Sequence, residues 1–237
     1  MKMTPDELAN LASGAAFLAT GGGGDPYLNY LTALQAMKIH GPANLVSIND
    51  LPDDAAIVAI GAVGAPTTSL ELLPSVDDAA NALEAYRTHT GRPVDAVISF
   101  EIGGGNSLVP IIAAAASGLP VIDGDGMGRA LPEVQMMTYA IAGISATPSV
   151  GIDYAGNTQV FHADTIEDYE PMIRNFAMVH GGMILSVEFW MTAAELRKCI
   201  VPDTVSLSIA LGKVLRAGTG NALQVAPALA EVFAPST

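Results

Sequence analysis

Basic residues are scarce in this chain. It has ten lysines and arginines against 24 aspartates and glutamates, so its formal net charge is −14. A nucleic-acid-binding surface needs clustered lysine and arginine, and the sequence contains no such cluster. The negative charge also disfavours long-range attraction of anionic substrates. We therefore predict no nucleic-acid partner, and a small-molecule substrate that is neutral or weakly acidic.

Cysteine and long apolar runs are scarce as well. Cys199 is the only cysteine, which excludes a disulfide within the chain and is typical of a reducing compartment. No run reaches the roughly 18 apolar residues of a membrane span, and the first residues lack the apolar core of a signal peptide. These features predict a cytoplasmic protein that does not enter a membrane.

Charged residues of both signs are few. They make up 14% of the chain, whereas 50% of the residues are hydrophobic and the mean hydropathy is +0.40. So much apolar surface must be buried in a core or in an interface. We therefore predict a homo-oligomer, or a partner domain or subunit.

Strand and helix patterns alternate between residues 45 and 123. This alternation predicts an α/β fold, with a layered, largely parallel sheet flanked by helices. We expect residues 1–237 to form a single α/β domain. Strands are predicted at 45–48, 55–63, 94–101, 119–123 and 183–190, with a hairpin at 148–162. Helices are predicted at 4–20, 25–40, 75–89, 106–117, 133–142, 165–179, 192–199, 205–217 and 221–233.

Three of the predicted strands end in glycine-containing turns. The carboxyl ends of parallel strands meet at one edge of a sheet, and glycines there expose backbone N–H donors. One such turn alone is more often an ordinary tight turn, but three together, two of them with carboxylates, predict a small-molecule site. The turns contain Gly64 after the first strand, Glu101, Gly103, Gly104 and Asn106 after the second, and Asp123 and Asp125 after the third.

Carboxylates supply the predicted chemistry, because in an apolar pocket one can act as a base and a second as an acid. We predict Asp123, Asp125 and Glu101 as the catalytic residues. Arg129 either holds a carbonyl or oxyanion or forms a structural salt bridge, and the two roles are equally favoured. The predicted ligand-binding residues are Gly22, Gly23, Gly24, Gly64, Gly103, Gly104, Asn106, Arg129 and Glu133.

The two aspartates also raise the question of a metal. The segment from Asp123 begins like a calcium loop, but Met127 replaces the third oxygen ligand and Val134 stands where the loop needs glutamate. We predict no metal and no other cofactor; a divalent ion on Asp123, Asp125 and Glu133 is the less favoured alternative. The four histidines lack metal-ligand spacing and are predicted to be solvated.

Four segments resemble one protein family. They are 15–26 (AAFLATGGGGDP), 64–66 (GAP), 101–104 (EIGG) and 123–133 (DGDGMGRALPE). In this order they resemble the S-methyl thiohydantoin desulfurase family, with related domains fused to hydantoinase/oxoprolinase proteins in fungi. The resemblance implies the family's α/β N-terminal domain. Family members usually continue into a mostly β C-terminal domain, which we expect to be absent here.

The resemblance implies a hydrolase-like enzyme that acts on hydantoin or S-methyl thiohydantoin rings. Backbone donors of the glycine turns would polarise the carbonyl or thioimidate carbon, and Asp123 or Asp125 would activate water. Glu101 and Asn106 would orient the ring. The alternative is a non-catalytic ligand-binding or assembly subunit of a hydantoinase/oxoprolinase-type complex, which would have no activity alone.

Overall fold

The computed structural model describes residues 1–218 and 222–233, so parts of the predicted helix 221–233 and domain 1–237 lie outside the described residues. Within them the helices are α1 (Pro5–Ala19), α2 (Pro26–His40), α3 (Asp78–Thr90), α4 (Val109–Ser117), α5 (Thr138–Ile141), α6 (Ile166–Val179), α7 (Ala193–Leu196), α8 (Thr204–Ala217) and α9 (Ala222–Val232). The strands are β1 (Leu45–Val46), β2 (Ala56–Gly64), β3 (Ala96–Ser99), β4 (Val121–Asp125), β5 (Ser149–Ile152), β6 (Thr158–Phe161), β7 (Met183–Thr192) and β8 (Val201–Pro202). None of the described helices combines the length and the hydropathy that a membrane crossing requires.

The first two helices begin at the capping residues that the sequence predicts. The Thr4 hydroxyl accepts a hydrogen bond from the Glu7 N–H, the Glu7 carboxylate accepts one from the Thr4 N–H, and Pro5 follows the cap. At α2, the Asp25 carboxylate accepts a backbone N–H of the first turn. The glycine loop between α1 and α2 is fixed at its start by a hydrogen bond from the Gly22 N–H to the Ala19 carbonyl at 3.0 Å, and at its end by the Asp25 cap.

The strands form one mixed sheet. Its order in the described chain is β1-β4-β3-β2-β7-β5-β6, with β8 paired to β4. Strands β1, β4, β3 and β2 run parallel, whereas β7, β5, β6 and β8 join by antiparallel pairing. The predicted α/β fold is confirmed, with the parallel strands in the core of the sheet. Strand β7 pairs with β2 on one side and with β5 on the other, and β5 and β6 form the hairpin that was predicted at 148–162.

Helices cover both faces of the sheet. Along β2, Val58 and Ile60 pack into one hydrophobic cluster, which includes side chains of α1, α2, α3 and α4. Ile57 and Ala59 pack into the other cluster, with side chains of α5, α6 and α7. The strand is therefore buried on both faces, as its uninterrupted apolar sequence predicts.

The predicted helix 133–142 is wrong in its length. The segment forms a short 3-10 turn (Val134–Met136) and then the four-residue α5. The reason is tertiary, because its backbone binds to other segments. The Val134 N–H donates to the Glu170 carboxylate at 3.1 Å, and the Thr138 N–H donates to the Gly126 carbonyl at 2.7 Å. The predicted helix 192–199 is likewise reduced to α7.

Candidate active site

A cavity of about 600 Å³ lies at the carboxyl ends of β2 and β3. Its wall combines the glycine loop between α1 and α2, the end of β2, the segment after β3 and the loop that follows β4. The turn of the β5–β6 hairpin and the start of β7 complete the wall. The cavity is thus at the edge of the parallel strands, where α/β sheets bind their ligands.

Glu101 is a buried carboxyl group of this cavity. It is 5% exposed and lines the wall. Its Oε1 accepts a hydrogen bond from Asn106 Nδ2 at 2.8 Å, and its Oε2 accepts one from the Leu131 N–H at 2.9 Å. Burial raises the pKa of Glu101 to about 7, because both hydrogen bonds together do not replace the lost hydration and the nearby Asp125 adds a like charge.

Asn106 is fixed between Glu101 and β2. Its Oδ1 accepts from the Ala62 N–H at 2.7 Å, and its Nδ2 donates to the Ala62 carbonyl at 3.1 Å. The amide therefore presents Nδ2, and not its oxygen, to Glu101. Asn106 and Glu101, both predicted from the turn after β3, lie together at the cavity.

The glycines bring two loops into contact. The N–H of Gly105 donates to the Gly24 carbonyl at 3.1 Å, and the N–H of Asn106 donates to the Gly23 carbonyl at 3.3 Å. Gly104 has φ +65°, and a Cβ there would lie 2.6 Å from the Gly22 carbonyl oxygen. Only glycine permits this approach. Of the predicted glycines, Gly22, Gly23, Gly24 and Gly64 line the cavity, whereas Gly103 and Gly104 lie behind its wall.

Asp125 lies beneath the site and does not line the cavity. It is fully buried, and its Oδ2 accepts the N–H groups of Ile102 at 2.8 Å, Met127 at 3.1 Å and Gly128 at 2.8 Å. Burial raises its pKa to about 6 in spite of these bonds. Asp125 therefore holds together the turn after β4 and the segment that carries Glu101.

The prediction that Asp123 reaches the same site needs correction. Its Oδ1 accepts the Ser206 N–H at 3.0 Å and its Oδ2 accepts the Ser206 hydroxyl, so it caps the first turn of α8. A register shift separates the two aspartates, because Val97 pairs with Val121 but Ser99 pairs with Asp125. The extra residues of β4 form a bulge that turns Asp123 away from the cavity.

Arg129 and Glu133 are also separated. Arg129 is exposed, donates to the Thr20 hydroxyl at 2.9 Å and does not line the cavity. Glu133 lines the cavity and accepts a hydrogen bond from Gln135 at 2.6 Å. Among the described residues, His, Cys, Asp and Glu side chains form no group of three that could hold a metal. The alternative site on Asp123, Asp125 and Glu133 is therefore not assembled.

Among the described residues, four charged residues of the wall were not predicted as site residues: Asp25, Asp78, Asp153 and Arg174. Arg174 on α6 lines the cavity and is held by Glu170, with 2.5 Å between Nε and Oε1, and by the Pro132 carbonyl. Asp153 lines it too, and accepts a hydrogen bond from His180 Nδ1 at 2.8 Å. Burial alone would raise the pKa of Asp153, but hydrogen bonds from Asn157, His180 and Ala155 outweigh it and lower the pKa.

The local sequence around Arg174 and Asp153 does not indicate that either residue lies at the cavity. Arg174 is one of several charged positions on an amphipathic helix, and only the packing of α6 against the sheet brings it to the wall. His180, predicted to be solvated, keeps 29% of its side chain exposed but is fixed by Asp153 and by its contact with the Phe176 ring.

Comparison with known proteins gives two family matches and a similar crystal structure. Residues 6–163 match the model of the S-Me-THD-like N-terminal domain, and residues 164–235 match that of the S-Me-THD-like C-terminal domain. A search of curated proteins finds no match. The crystal structure of a protein from Chromobacterium violaceum is similar, with a TM-score of 0.82 and 24% sequence identity. That match covers 96% of this chain and 65% of the other, and it supports the fold. On the two family matches, the chain belongs to the S-Me-THD-like family.

Proposed function

We propose that the chain is a hydrolase-like enzyme that acts on hydantoin or S-methyl thiohydantoin rings, with the cavity as the binding site and Glu101 as the acid–base residue. The family name supports the ring class. The observation that carries the chemistry is Glu101. Of the three carboxylates predicted to be catalytic, it alone lines the cavity, and its pKa is raised to about 7.

Hydrolysis of an S-methyl thiohydantoin requires a proton to move twice. Water adds to C2 of the ring and gives a proton to the Glu101 carboxylate. The C–S bond then breaks, and methanethiolate takes that proton, so the products are hydantoin and methanethiol. On a hydantoin the same two transfers would break a ring C–N bond and open the ring. A carboxyl group with a pKa near 7 can both accept and return the proton at neutral pH.

The wall of the cavity suits a neutral planar ring. Apolar side chains such as Val63, Ile112, Met137 and Ile184 contribute to it. Among the residues that the structure describes, Arg174 is the only lysine or arginine of the wall, and it is already paired with Glu170. An anion would instead meet a surplus of carboxylates, which are Asp25, Asp78, Glu101, Glu133 and Asp153. This balance supports the neutral or weakly acidic ligand predicted from the net charge.

The test is turnover of an S-methyl thiohydantoin by the purified chain, with methanethiol measured by a thiol reagent and hydantoin by chromatography. We expect Glu101→Gln to lower kcat by about 100-fold or more. Asp123→Asn is the matched control, because it makes the same acid-to-amide change outside the cavity, and it should retain turnover.

Other outcomes distinguish the alternatives. Calorimetric binding of the ring without release of methanethiol, and without ring opening, would favour a binding subunit over an enzyme. Equal loss of turnover in the Asp123→Asn variant, with folding intact, would contradict the assignment of the chemistry to Glu101. If neither type of ring binds, the proposed substrate class is wrong.

A further inference from the structure

A second group of buried polar side chains lies between α6 and the antiparallel half of the sheet. Ser149 on β5, Ser186 and Glu188 on β7, and Tyr169 on α6 are each 0% exposed. Strands β5 and β7 are neighbours, and Ser186 and Glu188, two residues apart, share one face of β7. The Tyr169 hydroxyl interacts with all three of the other side chains. We call these four residues the Glu188 cluster.

The oxygen atoms of the Glu188 cluster have no hydrogen-bond partners. These atoms are the hydroxyl oxygens of Ser149, Ser186 and Tyr169 and both carboxylate oxygens of Glu188. The side chains are neighbours, and contacts of Ser186 and Tyr169 with Glu188 lower the pKa of its carboxyl group, but these contacts fall outside the geometry of a direct hydrogen bond. A buried polar atom without a partner destabilises the fold, and native proteins leave few of them. A species that contacts several of these oxygens at once would remove this cost.

The local charge indicates the sign of that species. Burial raises the pKa of Glu188 to about 7, and the neighbouring Glu170 adds to the effect. No positively charged side chain acts on Glu188 within the described chain. Glu170 is already paired with Arg174. When Glu188 is ionised, two carboxylates and one guanidinium leave one negative charge, and a buried charge is stable only when it is compensated.

We propose that the Glu188 cluster binds one monovalent alkali cation, held by the oxygens of Glu188, Ser149, Ser186 and Tyr169. Carboxylate and hydroxyl oxygens are hard ligands of the kind such cations prefer, and a single positive charge balances the local excess. The ion would join β5, β7 and α6. These elements also carry Ile184 and Arg174 to the cavity wall, so the ion would stabilise that wall without touching the substrate.

The first test is thermal unfolding of the full chain in choline chloride, sodium chloride and potassium chloride at equal ionic strength. We expect one alkali salt to raise Tm by about 3–6 °C over choline, and the better salt identifies the ion. Glu188→Gln should abolish this difference. Glu167→Gln, which changes an exposed acid on α6, should keep it. Equal Tm values of the wild-type chain in all three salts would overturn the proposal.

The second test needs no variant, so it decides the question even if Glu188→Gln does not fold. Crystals of the wild-type chain are soaked in rubidium or thallium(I) salts, and anomalous scattering locates the heavy cation. An anomalous peak among the four side chains supports the site. An ordered water without anomalous signal, together with equal Tm values, would show that Glu188 is protonated and that the cluster binds solvent only.

Discussion

At the scale of single residues, burial raises the pKa of Glu101 and the Asn106 amide opposes that shift. Oδ1 must face the Ala62 N–H, so both hydrogens of Nδ2 are used, one by the Ala62 carbonyl and one by Glu101. This bond and that from the Leu131 N–H favour the carboxylate, whereas burial favours the neutral acid. Asn106 has no spare donor for a ligand. We therefore propose it as a positioning residue, in place of the ligand contact predicted from the sequence.

A pH profile follows from this balance. Since Glu101 must be ionised to accept a proton from water, kcat/KM should rise with pH and level off above about pH 7. Asn106→Ala removes a bond that lowers the pKa of Glu101, so the midpoint should move to higher pH. Asn81→Ala, another change in the cavity wall, leaves both bonds to Glu101 in place and should keep the wild-type midpoint. The same midpoint in all three proteins would contradict the role of Asn106.

Asp125 is expected to stabilise the fold through its three backbone bonds. Asp125→Ala leaves the N–H groups of Ile102, Met127 and Gly128 without their acceptor. We expect the free energy of unfolding, measured with urea, to fall by about 3 kcal/mol. Asp123→Ala, which removes a contact to the first turn of α8, should cost about 1 kcal/mol. Unchanged stability of Asp125→Ala with lost turnover would instead support the catalytic role predicted from the sequence.

At the scale of elements, the closest packing is that of α1 against α8. A Cβ at Gly14 would lie 1.8 Å from the Ser208 carbonyl oxygen, and a Cβ at Gly212 would lie 1.8 Å from the Asn10 carbonyl oxygen. Each helix therefore places its glycine against the backbone of the other. The two glycines determine how near the helices approach, and no helical periodicity in either segment predicts that they are partners.

Gly212→Ala should therefore destabilise the protein, although alanine favours helix by about 1 kcal/mol over glycine. The added methyl group meets backbone, which cannot move without shifting a whole helix, and such overpacking costs about 1–3 kcal/mol. A net loss of up to about 2 kcal/mol in urea unfolding is expected. The exposed neighbour Lys213→Ala serves as control and should change stability little. A more stable Gly212→Ala variant would show that the helices separate readily.

Local signals predicted those elements whose structure is decided locally. The caps at Thr4 and Asp25 and the doubly buried strand at 55–63 are found as expected. The errors arise where a partner distant in sequence decides the outcome. Glu170 and Gly126 interrupt the helix predicted at 133–142. The bulge in β4 separates Asp123 from Asp125, and neither residue's neighbours in sequence reveal it.

At the scale of the whole molecule, the cavity is built from both regions that the family models match. Residues 6–163 supply the glycine loop, Glu101 and Asn106, whereas residues 164–235 supply Arg174 and the start of β7. Strand β7 also lies between β2 and β5 in the sheet. The sequence predicted the parallel half, because β2, β3 and β4 are each followed by a helix. The order of the antiparallel half instead depends on pairing between distant segments.

The predicted homo-oligomer can be tested at the apolar side chains that remain exposed. Large apolar side chains remain exposed on the described chain, including Met178 at 73% and Val179 at 77%, which are adjacent at the end of α6. If this end of α6 is an interface, the chain should elute as a dimer or larger species in size-exclusion chromatography with light scattering. Met178→Lys should then shift it toward the monomer, whereas Glu167→Lys, an exposed change at the start of α6, should not. A monomeric wild-type chain would contradict the predicted homo-oligomer.

The division of the chain into one or two folding units is decided by β7. A fragment of residues 1–163 would lose the strand that joins β2 to the β5–β6 hairpin, and would expose the unpaired edge of β2 and the apolar side chains beneath α6. We expect this fragment to be insoluble, because exposed strand edges and apolar patches associate.

Co-expression with residues 164–237 should restore a soluble complex that unfolds in one cooperative transition. A chain that ends at residue 218 is the control. Of the described elements it lacks α9, which packs mainly on α8, and it should stay soluble. Cooperative unfolding of the 1–163 fragment alone would show that the first matched region is a self-sufficient domain. In that case β7 would be an addition to a complete fold, and the one-domain prediction would be wrong. If the fragment folds only with its partner, the sheet and the cavity form as one unit, and the wall around Glu101 depends on both regions of the chain.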